Sequence, residues 1–180
     1  MNKVLLVIDM QNDFIDGSLK NGHAEEIIPE IAKEMETGNY DLICFTQDTH
    51  SELYKDTQEG HKLPIEHCIK NTHGWEVRDE LVRKANEIGV QTHFIQKNTF
   101  GFPPISEEIF SQFHNFMDDD YEITIVGTCT DICVVSNALI LKANMPEAQI
   151  YVIEKCCAGT TEENHNAAIA VMRSCQIDII

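Results

Sequence analysis

Reactive side chains stand at or just beyond the ends of several apolar runs that are typical of buried β-strands. They are an aspartate, a carboxylate–histidine pair, a lysine and a cysteine: Asp9, Asp48 with His50, Lys97, and Cys133. In an open parallel sheet, ligands bind outside the carboxyl ends of the strands. We therefore expect these side chains to meet in one cleft. Taken singly, Asp9 could merely cap a loop and Lys97 could merely face solvent.

Cys133 lies where a helical pattern begins, after the apolar run Ile123–Val126, a break at Gly127 and a short polar turn. The unpaired N–H groups and partial positive charge of a helix N-terminus favour a thiolate over a thiol. This position predicts a lowered pKa for Cys133 and alkylation of Cys133 before the other cysteines. The alternative is a small, buried and unreactive hydrophobic residue.

An aspartate, a lysine and a cysteine in one cleft have complementary uses in acyl transfer. The thiolate of Cys133 would be the nucleophile, and Asp9 would take its proton and return it to a leaving amine. Lys97 would hold the carboxylate in place. Backbone N–H groups of the turn Thr128–Cys133 could stabilise an oxyanion. The pattern therefore predicts hydrolysis through a thioester, with water as the final acceptor.

The long polar stretch 47–72 contains side chains that bind divalent metals in other proteins. The candidate ligands are Asp48, His50, His67, and either Glu59 or His61. Asp48 and His50 lie on the same side of an extended segment, because side chains alternate along it. Two histidines with one or two carboxylates suit Zn²⁺, Fe²⁺ or Mn²⁺ and leave positions open for a ligand. The alternative is a hydrophilic loop with ordinary surface histidines.

The hydrophobic pattern predicts strands and helices in strict alternation. The predicted strands are Lys3–Asp9, Asp41–Thr46, Val90–Gln96, Ile123–Val126, Gln149–Ile153 and Ile177–Ile180. The predicted helices are Ala24–Thr37, Trp75–Ile88, Ile105–Met117, the segment that begins near Cys133, and Glu162–Cys175. Such alternation predicts a three-layer α/β/α fold with a doubly wound, six-stranded parallel sheet. At this length, residues 1–180 are expected to form a single domain.

Composition narrows the class of partner. With Lys+Arg 13 against Asp+Glu 30, the formal net charge is −17, which disfavours nucleic acids and anionic lipid surfaces. No apolar run is long enough to span a bilayer, and the first one lacks a cleavage site of the signal-peptide type. The odd number of cysteines, 7, has no regular spacing and favours reduced thiols in a cytoplasmic protein.

Several segments resemble those of a known enzyme family. They are Val7-Ile-Asp-Met-Gln-Asn-Asp-Phe14, Thr46-Gln-Asp-Thr-His50, Leu63-Pro-Ile-Glu-His-Cys68, Lys97, and Gly127-Thr-Cys-Thr-Asp-Ile-Cys-Val134. Across essentially its whole length the chain resembles isochorismatase-like cysteine hydrolases, and within them the nicotinamidases (pyrazinamidases). The resemblance implies a catalytic triad of Asp9, Lys97 and Cys133. It also implies that Asp48, His50 and His67 bind one divalent metal, Zn first and Fe or Mn as alternatives. Glu59 lies near the place of a fourth ligand, with His61 as its rival.

The resemblance also implies a small-molecule amide substrate. The metal would coordinate the pyridine nitrogen of nicotinamide and set the amide beside Cys133. Phe14 and Phe100 would pack against the ring, with Leu19 alongside. The Thr128–Cys129 peptide bond would be cis, and the Cys129 N–H would form the oxyanion hole with that of Cys133. Members of the family range from monomers to tetramers, so a homo-oligomer is a further expectation.

Two segments depart from the family pattern and keep other functions open. Asn98–Pro104 lacks the Tyr-Ser-Ala-Phe type of sequence common after the lysine, and Asn71-Thr72 replaces a common Gly-Thr. One alternative is a related cysteine amidohydrolase that acts on another small amide or carbamoyl compound. Another is a thiol-based redox protein, although redox chemistry needs neither Asp9 nor Lys97. Isochorismate cleavage is disfavoured because hydrolysis of a vinyl ether does not need Cys133.

Overall fold

Parallel strands form one sheet through the centre of the molecule. The structure, a computed structural model, describes residues 2–102 and 121–180. Within these ranges the strands are β1 (Asn2–Ile8), β2 (Leu42–Asp48), β3 (Gln91–Lys97), β4 (Tyr121–Thr128), β5 (Gln149–Ala158) and β6 (Asp178–Ile179). All neighbouring pairs are parallel, and the spatial order is β3-β2-β1-β4-β5-β6. The predicted six-stranded, doubly wound sheet is confirmed, with its switch point between β1 and β4.

Helices and single helical turns connect the strands. In the described ranges the α-helices are α1 (Asn12–Ile15), α2 (Ile28–Thr37), α3 (Gln58–Lys62), α4 (Asp79–Ile88), α5 (Val135–Asn144) and α6 (Glu162–Ser174). Two 3-10 turns span Tyr54–Asp56 and His73–Trp75, and a π-helical turn spans Thr130–Val134. The helix predicted at Ile105–Met117 lies outside the described residues.

Apolar side chains are buried on both faces of the sheet. Along β1, Leu6 and Ile8 belong to one core cluster, whereas Leu5 and Val7 belong to the other. The first cluster includes residues of α5 and α6, and the second includes residues of α2 and α4. Each fully buried Leu or Ile stabilises the fold by about 1.5–3 kcal/mol relative to an exposed position. The three-layer arrangement is therefore confirmed, and it accounts for the continuous apolar runs of the strands.

Helices α2 and α4 begin later than the predicted Ala24 and Trp75. Pro29 stands in the first turn of α2, where its missing N–H costs no helical hydrogen bond. Before α4, the backbone bonds to another segment instead of forming helix. The Arg78 N–H donates to Met10 O at 2.8 Å, and Glu76 O accepts from the N–H of Asn12, the first residue of α1, at 3.0 Å. These long-range hydrogen bonds explain why helical periodicity predicted too early a start.

Strand β5 is longer than the predicted Gln149–Ile153. It continues to Ala158 because its far end pairs again with β4, after a register irregularity between Ile125 and Gly127. Gly127 has φ 122°, and a Cβ there would lie 2.1 Å from the Ile8 carbonyl oxygen. Glycine therefore allows β4 to approach β1 closely at the switch point. The point of approach on β1 is the residue immediately before Asp9.

The seven cysteines, all of which the structure describes, are free thiols. Cys175 is exposed and Cys129 is partly exposed, while the others are buried. Within residues 2–102 and 121–180, no helix combines the length and the apolar character needed to cross a bilayer.

Candidate active site

Asp9 and Lys97 form a buried ion pair across the ends of three adjacent strands. Asp9 follows β1, Lys97 ends β3, and β2 lies between them. The Lys97 Nζ lies 2.6 Å from Asp9 Oδ2, and both side chains are 0% exposed. Burial alone would lower the pKa of Lys97, but the charges of Asp9 and its neighbours outweigh burial and raise it. Lys97 is therefore a cation that donates hydrogen bonds and accepts none.

The backbone of Asp9 adopts a conformation that is uncommon for residues other than glycine. Its φ is 46°, in the left-handed region, which costs a non-glycine residue about 1–3 kcal/mol. The Asp9 N–H donates to Thr46 Oγ1 at 3.0 Å, and the Thr46 hydroxyl donates to Asp9 Oδ1 at 2.5 Å. Strand β2 thus stabilises both the backbone and the carboxylate of Asp9.

Cys133 lies in the π-helical turn that precedes α5, and it is 6% exposed. Burial raises the pKa of its thiol well above the usual value, and the charge of Asp9 raises it further, while Lys97 opposes them. The lowered pKa predicted for Cys133 is therefore wrong. A helix N-terminus favours a thiolate, but here desolvation and a neighbouring carboxylate are stronger effects. Burial and the charge of Asp9 thus both favour the thiol form of Cys133 over the thiolate.

Hydrogen bonds connect the turn before Cys133 to the end of β5. The Thr128–Cys129 peptide bond is cis, as the resemblance implies. The Asn21 side chain donates to Thr128 Oγ1 at 3.2 Å and to Gly159 O at 2.9 Å. Asn21 therefore joins the ends of β4 and β5 beside the peptide bond whose N–H is predicted to bind an oxyanion. That role of Cys129 stays a prediction.

Further hydrogen bonds anchor the π-helical turn on both sides. The Asp131 carboxylate accepts from the Thr160 backbone N–H at 2.8 Å and from its hydroxyl at 2.5 Å. The buried Asn137 side chain donates to Cys133 O at 2.8 Å and accepts from the Phe102 N–H at 2.9 Å. The turn that contains Cys133 is thus held from the segment after β5 on one side and from the segment after β3 on the other.

A second group of polar side chains lies at the same end of the sheet. Asp48 ends β2, His50 follows it, Glu59 lies in α3, and His67 lies in the loop beyond. One ligand atom from each residue lies within 4.8 Å of the others. The Asp48 Oδ2 is 3.1 Å from His50 Nε2 and 3.4 Å from His67 Nε2, and Glu59 Oε1 lies 3.7 Å from His67 Nε2. His61 is exposed and does not belong to this cluster.

The donor set of this cluster fits a divalent transition metal. Burial alone would raise the pKa of Asp48, but hydrogen bonds with His50 and His67 outweigh it and hold the pKa below its usual range. His67 Nδ1 lies 2.9 Å from the Ile65 carbonyl oxygen, which favours an Nδ1–H tautomer with the Nε2 lone pair toward the cluster. Two carboxylates and two imidazoles match the ligand chemistry of zinc and related metals.

Residues outside the predicted set hold the cluster in place. The Gln11 side chain pairs with the backbone of Asp48, donating to its oxygen at 2.8 Å and accepting from its N–H at 2.7 Å. The ring of Tyr54, fully buried, lies with its centroid 4.7 Å from that of His50 and 5.0 Å from that of His67. Burial, with smaller effects of Glu59 and Asp48, raises the pKa of Tyr54 to about 12.

Sequence reasoning missed these supporting residues because none of them carries a charge. Gln11 was visible within the motif that contains Asp9, and Thr46 within the motif that contains Asp48. Their neighbours in sequence were the only available signal. The contacts that define their roles join residues 37 positions apart, which no local pattern reveals.

The predicted substrate contacts differ in position. Phe14 is 8% exposed and its ring centroid lies 5.7 Å from that of His67, while Leu19 is partly buried. Phe100 is 51% exposed among the described residues, so nothing described closes over it. The roles of all three stay predictions. Residues His50, Glu59 and Asn98 are among those that line a cavity of about 520 Å³.

Known proteins share this sequence pattern and fold. Residues 3–180 match the family model described as the isochorismatase domain. A nicotinamidase from Saccharomyces cerevisiae is 31% identical over 179 residues, which cover 76% of this chain and 80% of the yeast protein. The crystal structure of a pyrazinamidase/nicotinamidase from Streptococcus mutans is 28% identical, with a TM-score of 0.80 over 99% of this chain and 100% of that chain. A Pyrococcus horikoshii pyrazinamidase, crystallised in complex with zinc, is 25% identical, with a TM-score of 0.74 over 100% of this chain and 99% of that chain.

Proposed function

The chain belongs to the isochorismatase family, and from this premise we propose that it is a metal-dependent nicotinamidase. Its curated relatives that are named nicotinamidase indicate an amidohydrolase. The proposed reaction converts nicotinamide, and amides similar to pyrazinamide, to the carboxylic acid and ammonia. One observation supports this most strongly. The buried group formed by Asp9, Lys97 and Cys133 lies at the same sheet edge as the Asp–His–Glu–His cluster.

The first half of the reaction forms a thioester on Cys133. Its S–H proton passes to the Asp9 carboxylate while sulfur bonds to the amide carbon, and the C=O electron pair moves to oxygen. The N–H groups of Cys129 and Cys133 stabilise that oxyanion. Asp9 then returns the proton to the amide nitrogen, the C–N bond breaks, and ammonia leaves.

The second half releases the acid. Water loses a proton to Asp9 as its oxygen bonds to the thioester carbon, and the C–S bond breaks. Asp9 gives that proton to sulfur, which restores the thiol of Cys133. In the resting site Lys97 is protonated, because the charge of the buried carboxylate beside it raises its pKa. Its charge compensates Asp9 in the ionised state and limits the cost of burying a carboxylate.

Asp48, His50, His67 and Glu59 would hold the metal. Their mixed nitrogen and oxygen atoms, and the short distances between them, support zinc with iron or manganese as alternatives. When bound, the metal supplies a Lewis acid for the pyridine nitrogen. The ring of Phe14 packs against His67, and this contact is consistent with an aromatic substrate ring bound beside the metal cluster.

The direct test is ammonia release from nicotinamide by the metal-loaded enzyme. We expect Cys133→Ala to lower kcat by at least about 10⁴-fold, because removing the nucleophile of such a group abolishes covalent catalysis. Cys175→Ala, which removes an exposed free thiol, is the matched control and should keep full activity. The thioester mechanism fails if Cys133→Ala hydrolyses nicotinamide as well as the wild type does.

A second candidate substrate class follows from the departure of Asn98–Pro104 from the family pattern. Asn98 lines a cavity together with His50 and Glu59, so this segment borders the proposed metal site. That supports another small amide or carbamoyl compound as the alternative substrate. Steady-state assays with nicotinamide, pyrazinamide and a panel of small aliphatic amides distinguish the two. A higher kcat/KM for an aliphatic amide would contradict nicotinamide as the substrate.

The proposal includes a cytoplasmic location. The free thiols of all seven cysteines, each within the described ranges, suit a reducing compartment. Cell fractionation followed by immunodetection tests it, and recovery of the protein in an extracellular fraction would contradict it.

A further inference from the structure

Thr46 contacts the proposed catalytic base from inside the sheet. It lies in β2, two residues before the end of that strand, and is 0% exposed. Its hydroxyl donates to Asp9 Oδ1 at 2.5 Å, while its oxygen accepts from the Asp9 backbone N–H at 3.0 Å. One side chain therefore bonds to both the backbone and the carboxylate of Asp9.

The two oxygens of Asp9 have different partners. Thr46 holds Oδ1, and Lys97 holds Oδ2 at 2.6 Å. Two donors on opposite oxygens define the plane of a carboxylate, whereas a single donor leaves the group free to rotate about it. The orientation of Asp9 toward Cys133 is thus determined jointly by β2 and β3.

Asp9 is the proton acceptor of this group, because neither of its two hydrogen-bond partners can take the proton of Cys133. A threonine hydroxyl has one proton, and here it is donated to Asp9. Lys97, as a cation, has no lone pair to accept a proton. Neither neighbour competes with Asp9 for the proton of the thiol, so the carboxylate remains the acceptor.

We propose that Thr46 is a positioning residue, whose hydroxyl fixes the carboxylate of Asp9 in the plane needed to exchange a proton with Cys133. The inference rests on the proposed cysteine mechanism and adds to it a contribution from β2. Thr46 does not touch the substrate or the reacting carbon in this account. It acts through Asp9 alone.

Two variants distinguish the effect of the Thr46 hydroxyl from the effect of the shape of its side chain. Thr46→Val keeps the branched shape but removes both hydrogen bonds, and Thr46→Ser keeps the hydroxyl. A matched control is Thr124→Val, which removes a buried hydroxyl of β4 that is hydrogen-bonded to Tyr40. Because Thr46 lies close to Asp48 in sequence, the metal content of every variant is measured as well.

We expect Thr46→Val to lower kcat by about 100-fold, the effect of misplacing a reacting group by roughly 1 Å. The KM and the metal content should stay within about twofold of the wild type, because binding is not affected. Thr46→Ser and Thr124→Val should keep kcat within about threefold. The proposal is overturned if Thr46→Val keeps kcat, if Thr46→Ser or Thr124→Val loses as much activity, or if the loss follows a loss of metal.

A crystal structure of Thr46→Val provides a readout that needs no substrate. We expect the Asp9 carboxylate to be rotated away from its wild-type plane, and an unchanged carboxylate would overturn the proposal. If the wild type releases no ammonia from nicotinamide, the proposed function fails. The role of Thr46 is then decided by this structure and by the kinetics on whichever small amide the wild type hydrolyses.

Discussion

The proposed nucleophile group and the proposed metal cluster lie at one edge of the sheet but are built differently. Asp9, Lys97 and Cys133 come from the ends of β1 and β3 and from the turn after β4, and the ion pair among them is fully buried. In the metal cluster only Asp48 belongs to a strand. The other members come from the connection between β2 and α4, where the side chain of Glu59 is 25% exposed.

The difference shows what each region depends on. Backbone pairing of adjacent strands fixes the spacing between Asp9 and Lys97. The metal cluster depends on tethers of its loop, including a short parallel bridge in which the His50 N–H donates to Cys68 O at 2.9 Å. The Cys68 N–H in turn donates to Asp13 Oδ2 at 2.7 Å. We therefore expect the stability of the ion pair to depend on the balance of its two buried charges. The arrangement of the metal cluster should depend instead on the bound metal.

The largest effect on stability should come from the ion pair. Lys97→Met leaves the Asp9 carboxylate buried without its cation, which should lower the free energy of unfolding by about 3–5 kcal/mol. Denaturant unfolding followed by circular dichroism measures this. Lys55→Met, which removes the exposed partner of Glu66, is the control and should cost about 0–1 kcal/mol.

The double variant Asp9→Asn with Lys97→Met tests whether the two buried charges stabilise the fold only as a pair. Replacing both charges should restore part of the stability that Lys97→Met loses, because no unpaired charge stays buried. It should not restore hydrolysis, since the proton acceptor is gone. A double variant less stable than Lys97→Met would contradict the account of the pair as a balanced unit.

An intermediate effect is expected from removing the metal. Chelation should abolish hydrolysis and lower the free energy of unfolding by about 2.7 kcal/mol if the free metal had been at 100 times its Kd. Glu59→Gln should weaken metal binding by about tenfold, and His61→Ala should leave it unchanged. Metal titration calorimetry distinguishes the two. A larger effect of His61→Ala than of Glu59→Gln would contradict the assignment of Glu59.

Hydrogen exchange during the same chelation compares the two regions directly. Amides of the loop that contains His67 should lose protection, whereas those of β1 and β3 should keep it. Equal loss of protection in both regions would show that the metal also holds the ends of the strands.

The smallest effect concerns the reactivity of Cys133. The negative charge of Asp9 raises the pKa of this thiol and the positive charge of Lys97 lowers it. Asp9→Asn should therefore increase the thiolate fraction at pH 7.5 and the rate of alkylation by iodoacetamide, while Lys97→Met should reduce both. Changes of about threefold to tenfold correspond to half a pKa unit to one unit. The exposed Cys175 is the internal reference, and the reverse order of rates would contradict this electrostatic account.

Much of the fold could be predicted because its signals are local. Continuous apolar runs such as the one in β1 indicate a strand covered on both faces, and their alternation with helical patterns indicates a parallel sheet. The positions of Asp9, Lys97 and Cys133 after such runs then place them at one edge. The starts of α2 and α4 were predicted too early, because Pro29 and the long-range hydrogen bond of Arg78 determine them instead.

The sequence by itself determined the sheet, the family and the set of residues that could react, since these follow from residue type and periodicity. Only the tertiary structure decided that Glu59 and not His61 lies with His50 and His67, because loop conformation places those side chains. It also decided that the pKa of Cys133 is raised and not lowered, since that pKa depends on burial and on Asp9, which is distant in sequence. Likewise, Thr46 becomes a partner of Asp9 only when β2 pairs with β1.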